Sequence, residues 1–137
     1  MADLMSGKRG LIMGVANERS ISYINAHGTS TPVGDVGEVE AVRRVFKPSS
    51  VPLISSTKSM TGHAQGAAGA LEAIYCLLML ENDFIAPSIN VNNLDPALMA
   101  TEIATYLVEN AKLDTVMTNS FGFGGTNGSM LLSKFYG

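Results

Sequence analysis

Short apolar runs, separated by polar or glycine-rich segments, divide the chain into candidate strands. Residues 8–15, 22–26 and 51–55 each form a brief run that is typical of a buried strand. Near the C-terminus, residues 115–119 and 129–135 are two further β-like runs, and the segment between them is rich in glycine. The pattern therefore predicts strands in the first half of the chain and a β-hairpin at its end.

Two helices are predicted between these strands. The first begins at Gly34, where Asp35 is placed to cap the helix and Glu38, three positions on, completes a capping box. Pro48 ends this helix, whose apolar face contains Val39, Val42 and Phe46. The second helix ends near Glu81 and is apolar nearly all round, so we expect it to be buried between layers. Together these elements favour a layered α/β domain with a mixed sheet and one buried helix.

Length and charge narrow the class of protein. A chain of 137 residues is enough for one domain with a sizeable core. Charged residues make up only 15% of the chain, which indicates more surface than usual buried against another subunit. The net charge of −3 and the scattered basic residues argue against nucleic-acid binding. Because the sequence also contains no membrane-length apolar run and no convincing signal peptide, we expect a cytoplasmic protein.

The single cysteine, Cys76, excludes an internal disulfide and a multi-cysteine zinc site. It falls in the middle of the apolar helix, where a small buried residue is expected. We therefore interpret Cys76 as an inert core residue.

The chain has two histidines, and both lie in loops rich in glycine, serine and threonine. His27 lies in residues 25–35 and His63 in residues 56–69. A neutral imidazole offers one donor and one acceptor near pH 7, and small neighbours permit close approach of a ligand. We expect His63 at the start of the apolar helix, where the dipole favours the neutral ring. A purely structural role for both histidines remains the alternative.

Two other features suggest chemistry. Glu72, inside the apolar helix, needs a partner because an isolated buried carboxylate is costly, and Lys58 is the nearest candidate in sequence. A purely structural ion pair is the alternative. Residues 121–125 contain two phenylalanines among glycines, which suits an oxyanion site or a gate for a pocket. A phosphate cradle is disfavoured because no Gly-Lys-Ser/Thr ending follows, and a long turn is the structural alternative.

Three motifs give the chain a specific resemblance. They are Asn-Ala-His-Gly-Thr-Ser-Thr-Pro-Val-Gly-Asp at residues 25–35, Thr-Lys-Ser-Met-Thr-Gly-His at 57–63 with Gly-Ala-Ala-Gly at 66–69, and Asn-Ser-Phe-Gly-Phe-Gly-Gly-Thr-Asn at 119–127. Residues 22–137 resemble the C-terminal half of the β-ketoacyl-acyl-carrier-protein synthases of fatty acid biosynthesis, and residues 72–90 look more like synthase I than synthase II. The resemblance implies a thiolase-like fold built from two α/β halves, of which this chain supplies one.

The resemblance also implies roles for individual residues. His27 and His63 match the two histidines of a Cys-His-His triad that bind the malonyl thioester and assist its decarboxylation. The other residues with implied roles are the supporting pair Lys58 and Glu72, the pantetheine-contacting Thr29 and Thr31, the gating Phe123, and Phe121 beside it.

The nucleophilic cysteine of the family belongs to the N-terminal half, and Cys76 does not match it. We therefore expect the chain alone to be inactive in condensation, although it resembles an acyltransferase. The implied partners are acyl carrier protein, whose phosphopantetheine carries the substrate, and either an N-terminal synthase half or a second copy; no cofactor or metal is implied. A non-catalytic module that binds carrier protein or assists assembly is the alternative.

Residues 1–21 resemble a different family, the type I enoyl-acyl-carrier-protein reductases. Gly14, Ala16, Ser20 and Ile21 match the first strand and nucleotide-contacting turn of that NADH-dependent enzyme. So short a segment lacks the helix and further strands that a dinucleotide site requires, which makes a reductase function the least favoured hypothesis. We expect a reductase-like segment at 1–21 joined to a synthase domain at 22–137.

Overall fold

The computed structural model describes residues 11–13, 21–46, 51–100 and 102–135. The helices are α1 (Gly34–Val45), α2 (Lys58–Thr61) and α3 (Ala68–Asn82), with 3-10 turns at Gln65–Ala67 and Phe123–Gly125. The strands are β1 (Leu11–Met13), β2 (Ile21–Asn25), β3 (Leu53–Ser55), β4 (Phe84–Ile85), β5 (Val108–Glu109), β6 (Thr115–Phe121) and β7 (Asn127–Ser133).

Five strands form a mixed sheet in the order β1-β7-β6-β2-β3. The neighbours β6 and β7 are antiparallel, as the predicted hairpin requires, and the other neighbours are parallel. β4 and β5 form a separate antiparallel pair. The predicted layered α/β domain with a mixed sheet is confirmed.

Helices cover both faces of this sheet. Alternate strand residues point to opposite sides, so neighbouring residues of one strand pack in different clusters. Tyr23 packs in one core cluster with Cys76 and Met79 of α3. Its neighbour Ile24 packs in a second cluster. The α1 residues of that second cluster are Val39 and Val42, which together with Phe46 just beyond the helix form the predicted apolar face.

The start of α1 differs from the predicted capping box. No side chain of the expected box caps the helix; Thr31 Oγ1 instead accepts the N–H of Gly34 at 3.2 Å. Asp35 accepts the N–H of Ser30 at 3.1 Å, and Glu38 is buried. The prediction was wrong because both carboxylates accept N–H groups of the preceding loop. Those N–H groups would otherwise lack a partner.

The helix α3 ends close to the predicted position, but it is buried on one side only within this chain. Cys76 is fully buried, whereas Ile74, Leu77 and Leu78 are 52%, 51% and 46% exposed. The second covering layer that its apolar circumference predicts is therefore not supplied by the described residues. None of the helices in those residues is long and apolar enough to cross a bilayer.

Candidate active site

Three parallel strands bring the candidate residues to one edge of the sheet. β2 ends at Asn25, β3 at Ser55 and β6 at Phe121, and because these strands are parallel their carboxyl ends share one edge. The loops that follow β2 and β3 carry His27 and His63. Their ring centroids lie 5.4 Å apart with the planes at 87°, so the structure brings the two predicted histidines together.

Backbone hydrogen bonds determine which nitrogen of each ring carries the proton. The N–H of Phe121 donates to Nδ1 of His27 at 3.3 Å, and the N–H of Gln65 donates to Nδ1 of His63 at 3.2 Å. A nitrogen that accepts a hydrogen bond has its lone pair free, so the proton of the neutral ring is on Nε2. Each histidine can therefore donate an Nε2–H to a ligand.

His63 does not lie at the start of α3, contrary to our expectation. The helix begins at Ala68, and the 3-10 turn Gln65–Ala67 lies between them. The small residues of this segment form that turn before the longer helix begins. The dipole of α3 is thus too distant to act on the His63 ring, because its effect falls off within the first turn.

Electrostatics favour the neutral form of His27. Burial is the largest cause that lowers the pKa of this imidazole, and the positive charge of Lys58 and the neighbouring His63 lower it further. Near neutral pH the ring is therefore a hydrogen-bond donor without a formal charge.

Lys58 and Glu72 form the ion pair that the sequence indicates. Nζ of Lys58 bonds to Oε1 of Glu72, and both side chains are buried. Ser120 Oγ donates to the other carboxylate oxygen at 3.4 Å. The pair joins α2 to α3 across the loop that carries His63.

A second buried carboxylate, Glu38, holds the loop of His27. It accepts the N–H of His27 at 2.9 Å and the N–H of Gly28 at 3.0 Å. It also accepts Nδ2 of Asn119, on β6, at 3.0 Å. Burial raises the pKa of Glu38, although these three donors favour the charged form. The sequence signal for this role is a charged residue one turn before Val42, in phase with the apolar face of α1.

Gly28 is held from the opposite side. Its φ is +26°, and a Cβ at this position would lie 2.8 Å from Cβ of Ser56. The Ser56 hydroxyl donates to the Gly28 carbonyl at 2.7 Å. The close approach of the two loops therefore requires glycine.

The other predicted site residues are partly or fully exposed. The ring of Phe121 is 5.5 Å from the ring of His27, whereas the side chain of Phe123 is fully exposed in its 3-10 turn. Thr29 is half-buried and Thr31 is exposed. Of the two phenylalanines, Phe121 is thus the one that the structure places against a histidine.

The described residues contain no activated thiol and no cluster of three metal-ligating side chains. Burial raises the pKa of Cys76 to about 12, which agrees with an inert core residue. The predicted nucleotide-contacting residues Gly14, Ala16 and Ser20 lie outside the described residues, and Ile21 begins β2.

Comparisons with known proteins agree with the sequence motifs. The family model for the beta-ketoacyl synthase C-terminal domain matches residues 11–92. The 3-oxoacyl-[acyl-carrier-protein] synthase 1 of Haemophilus influenzae is 62% identical over 117 residues, which cover 85% of this chain and 29% of that protein. The chain therefore spans less than a third of the length of this curated relative. The predicted likeness to synthase I is confirmed.

Two solved structures show the same fold. The ishigamide ketosynthase/chain length factor has a TM-score of 0.81 and 36% identity, and the match covers 88% of this chain and 29% of that one. A type II PKS acyl-carrier protein in complex with its ketosynthase has a TM-score of 0.79 and 31% identity, with 88% and 29% covered. The fold is therefore that of a ketosynthase C-terminal half.

Proposed function

Because the chain belongs to the beta-ketoacyl synthase family as its C-terminal domain, we propose that it supplies the histidine half of a decarboxylating condensation site. The observation that carries this proposal is the pair of imidazoles at 5.4 Å, each with Nδ1 occupied by a backbone N–H. Two Nε2–H groups near one another suit a single oxygen that becomes negative during reaction.

The proposed chemistry begins with a malonyl thioester whose carbonyl oxygen accepts both Nε2–H groups. The bond to the carboxylate carbon breaks, carbon dioxide leaves, and the electron pair moves onto the thioester as an enolate. The two donors stabilise the enolate oxygen. The enolate carbon then attacks an acyl thioester, which a cysteine outside this chain carries, and the thiolate leaves.

The surrounding residues take supporting roles in this proposal. The Lys58 cation lowers the pKa of His27, and Glu72 balances that charge in the buried pair. Thr29, which is half-buried, and Thr31, which is exposed, bind the phosphopantetheine arm of the substrate. Phe121 and Phe123 line the entrance for the acyl chain. No step of the proposed chemistry requires a cofactor.

The nucleophile must come from another polypeptide segment. The sequence has one cysteine, and Cys76 is fully buried. The exposed apolar stripe on α3, formed by Ile74, Leu77 and Leu78, suits an N-terminal synthase half as partner. Acyl carrier protein is the proposed carrier of the substrate, which the solved complex of such a protein with its ketosynthase supports. We also propose that the synthase domain is residues 22–137 and that residues 1–21 are a leading segment that is not a domain by itself, although its residues 11–13 add β1 to the sheet.

The lack of an accessible thiol favours a second candidate, a non-catalytic module that binds carrier protein or assists assembly. Such a module needs Thr29, Thr31 and the α3 surface but not the two Nε2–H donors. The two candidates therefore differ in whether the histidines perform chemistry.

Release of labelled carbon dioxide from malonyl-acyl-carrier protein separates them. We expect release by the chain together with an N-terminal synthase half whose cysteine is replaced by alanine. His27→Ala and His63→Ala should each abolish release, while Cys76→Ala leaves it unchanged. Release that survives both histidine substitutions contradicts the proposed roles; carrier-protein binding without release from the unaltered chain supports the module.

A further inference from the structure

Two buried side-chain hydrogen bonds join β2 to β3 and to the segment that leaves β3. The Tyr23 hydroxyl lies 2.7 Å from Oγ of Ser55, and Nδ2 of Asn25 donates to Oγ1 of Thr57 at 3.0 Å. Asn25 is fully buried, and Thr57 is 4% exposed. Asn25 is the last residue of β2, and Thr57 follows the end of β3 by two residues. The second bond therefore lies where the strands end and the histidine loops begin.

The Asn25 side chain also holds the main chain of Thr57. Oδ1 of Asn25 accepts the N–H of Thr57 at 3.3 Å. A main-chain N–H can only donate, so this bond determines which way the amide of Asn25 is turned and leaves its Nδ2 facing the Thr57 hydroxyl. One buried amide thus holds both the N–H and the hydroxyl of the same residue.

Thr57 begins the short helix that carries Lys58. Its carbonyl accepts the N–H groups of the residues three and four positions further on, at 3.0 and 3.2 Å, which form the turn of α2. Lys58 is the first residue of α2, and His63 follows in the loop after it. Asn25 is itself two positions before His27. The bond between Asn25 and Thr57 therefore connects the His27 loop to the helix that leads to His63.

Main-chain pairing between β2 and β3 stops at the start of these loops. The three residues of β3 pair with β2 in register, and the N–H of Ala26 then donates to the carbonyl of Ser55 at 2.8 Å. Beyond that bond, the described loops are joined by hydrogen bonds of side chains, such as the bond from Ser56 to Gly28. The placement of one loop against the other therefore depends on those side chains.

We propose that Asn25 is a positioning residue, which acts through Thr57 to hold the start of α2 against the loop of His27. Its effect on the reaction rests on the proposed function, because two Nε2–H donors stabilise one oxygen only while their separation is maintained. A displacement of about 1 Å can cost on the order of a hundredfold in rate. The bond between Tyr23 and Ser55 lies within the paired strands, which main-chain bonds keep together without it.

Release of labelled carbon dioxide measures the catalytic effect, in the complex with an N-terminal synthase half whose cysteine is replaced by alanine. Asn25→Ala should lower kcat at least about tenfold and change KM less than about threefold, because the donors are displaced while the substrate-binding residues remain. Thr57→Val removes only the hydroxyl and should lower kcat less. The conservative variant Thr57→Ser should restore the rate that Thr57→Val loses. Tyr23→Phe removes the matched buried bond and should change kcat less than about threefold.

Proton NMR titration of the chain alone gives a readout that does not require the reaction. Burial and the charge of Lys58 are the largest causes that lower the pKa of His27. If α2 shifts away, Lys58 moves with it, so Asn25→Ala should raise this pKa toward its ordinary value. Tyr23→Phe should leave it unchanged, since a loss of stability alone does not alter titration of the folded state. The titratable and charged groups near His27 are Lys58, His63, Asp35 and Glu38.

The two measurements separate failure of the positioning role from failure of the proposed function. Release that survives both His27→Ala and His63→Ala refutes the function, and the titration then decides the role of Asn25. A pKa of His27 that rises in Asn25→Ala but not in Tyr23→Phe supports that role, and an unshifted pKa in Asn25→Ala overturns it. Where the histidine variants are inactive, a kcat that falls no further in Asn25→Ala than in Tyr23→Phe also overturns it. If Asn25→Ala does not fold, Thr57→Val takes its place in both measurements.

Discussion

The loops that carry His27 and His63 differ in how the chain holds them. The His27 loop is anchored by residues distant in sequence: Glu38 takes two of its N–H groups, and Phe121 donates to its ring. His63 accepts its hydrogen bond from Gln65, only two positions away, and residues 60–67 are all exposed. Thus one histidine is positioned from several sides, and the other is fixed mainly at the ends of its loop.

This contrast shows which loop of the site is held by contacts within this chain and which loop is left largely exposed. The His27 loop lies between α1, β3 and β6, so its geometry follows from the fold of this chain. The His63 loop depends on the buried pair of Lys58 and Glu72 at its two ends. The loop itself is exposed, and so are Ile74, Leu77 and Leu78 on α3. A covering polypeptide would therefore order the His63 side more than the His27 side.

The greatest loss of stability is expected at the ends of the His63 loop. Glu72→Ala leaves Lys58 as an uncompensated buried charge, which should lower the free energy of unfolding by about 3–5 kcal/mol. Lys58→Met/Glu72→Leu removes both charges and should regain most of that loss. Urea unfolding measures both variants. If the double variant is no more stable than Glu72→Ala, the pair is not the anchor we describe.

A smaller loss is expected from the anchor of the His27 loop. Glu38→Ala leaves the N–H groups of His27 and Gly28 without their acceptor, which should cost about 2–3 kcal/mol. Amide exchange should quicken at these two residues and not at Gln65. Glu40→Ala, on the exposed side of the same helix, is the matched control and should change stability by less than about 0.5 kcal/mol. Equal effects of the two substitutions would contradict the anchoring role.

Two glycines with positive φ compare the loops directly. Gly28 has Ser56 against it, whereas at Gly62, with φ of +74°, an added Cβ would meet nothing within 4 Å. Gly28→Ala should therefore cost about 2 kcal/mol, from backbone strain and overlap together, and Gly62→Ala about 1 kcal/mol from strain alone. Thermal unfolding of both variants gives the difference. A greater loss at Gly62 would reverse our comparison of the loops.

Much of the fold follows from local pattern. The apolar period of α1, the glycine-rich hairpin and the apolar run of α3 were sufficient to predict a mixed α/β layer with these elements. The partnership of Lys58 and Glu72 also followed, because a buried carboxylate requires a counter-charge. The proximity of His27 and His63 followed from the family resemblance, and the strand order explains it.

The failures have a common physical origin. Glu38 has the spacing of a capping box, but its carboxylate bonds to N–H groups of the preceding loop, and only the tertiary fold shows which donors lack partners. The start of α3 at Ala68 was missed because Gln65–Ala67 forms a tighter turn from the same small residues. The exposure of Ile74 could not be predicted from the sequence either. The spacing of apolar residues indicates which face of a helix can be buried, but it does not show whether a partner covers that face.

The weakest effect is electrostatic and again concerns His27. Its pKa should lie below its ordinary value, as measured by proton NMR titration of the ring, because burial and then Lys58 disfavour the charged form. His63→Gln removes one lowering cause and should raise the pKa of His27 slightly. Asp35→Asn keeps the oxygen that accepts the N–H of Ser30 but removes a negative charge, so it should lower that pKa.

The sign of the pH dependence follows from the same shift. Unfolded His27 binds a proton near its ordinary pKa, whereas the folded chain binds it only at lower pH. The contribution of His27 to stability is therefore complete above that ordinary value and is lost as the pH falls toward the folded pKa. A ring that titrates at or above its ordinary value, or a shift of the same sign in both variants, would mean that the anchored loop does not keep His27 neutral. The contrast between the loops would then be one of geometry without an electrostatic consequence.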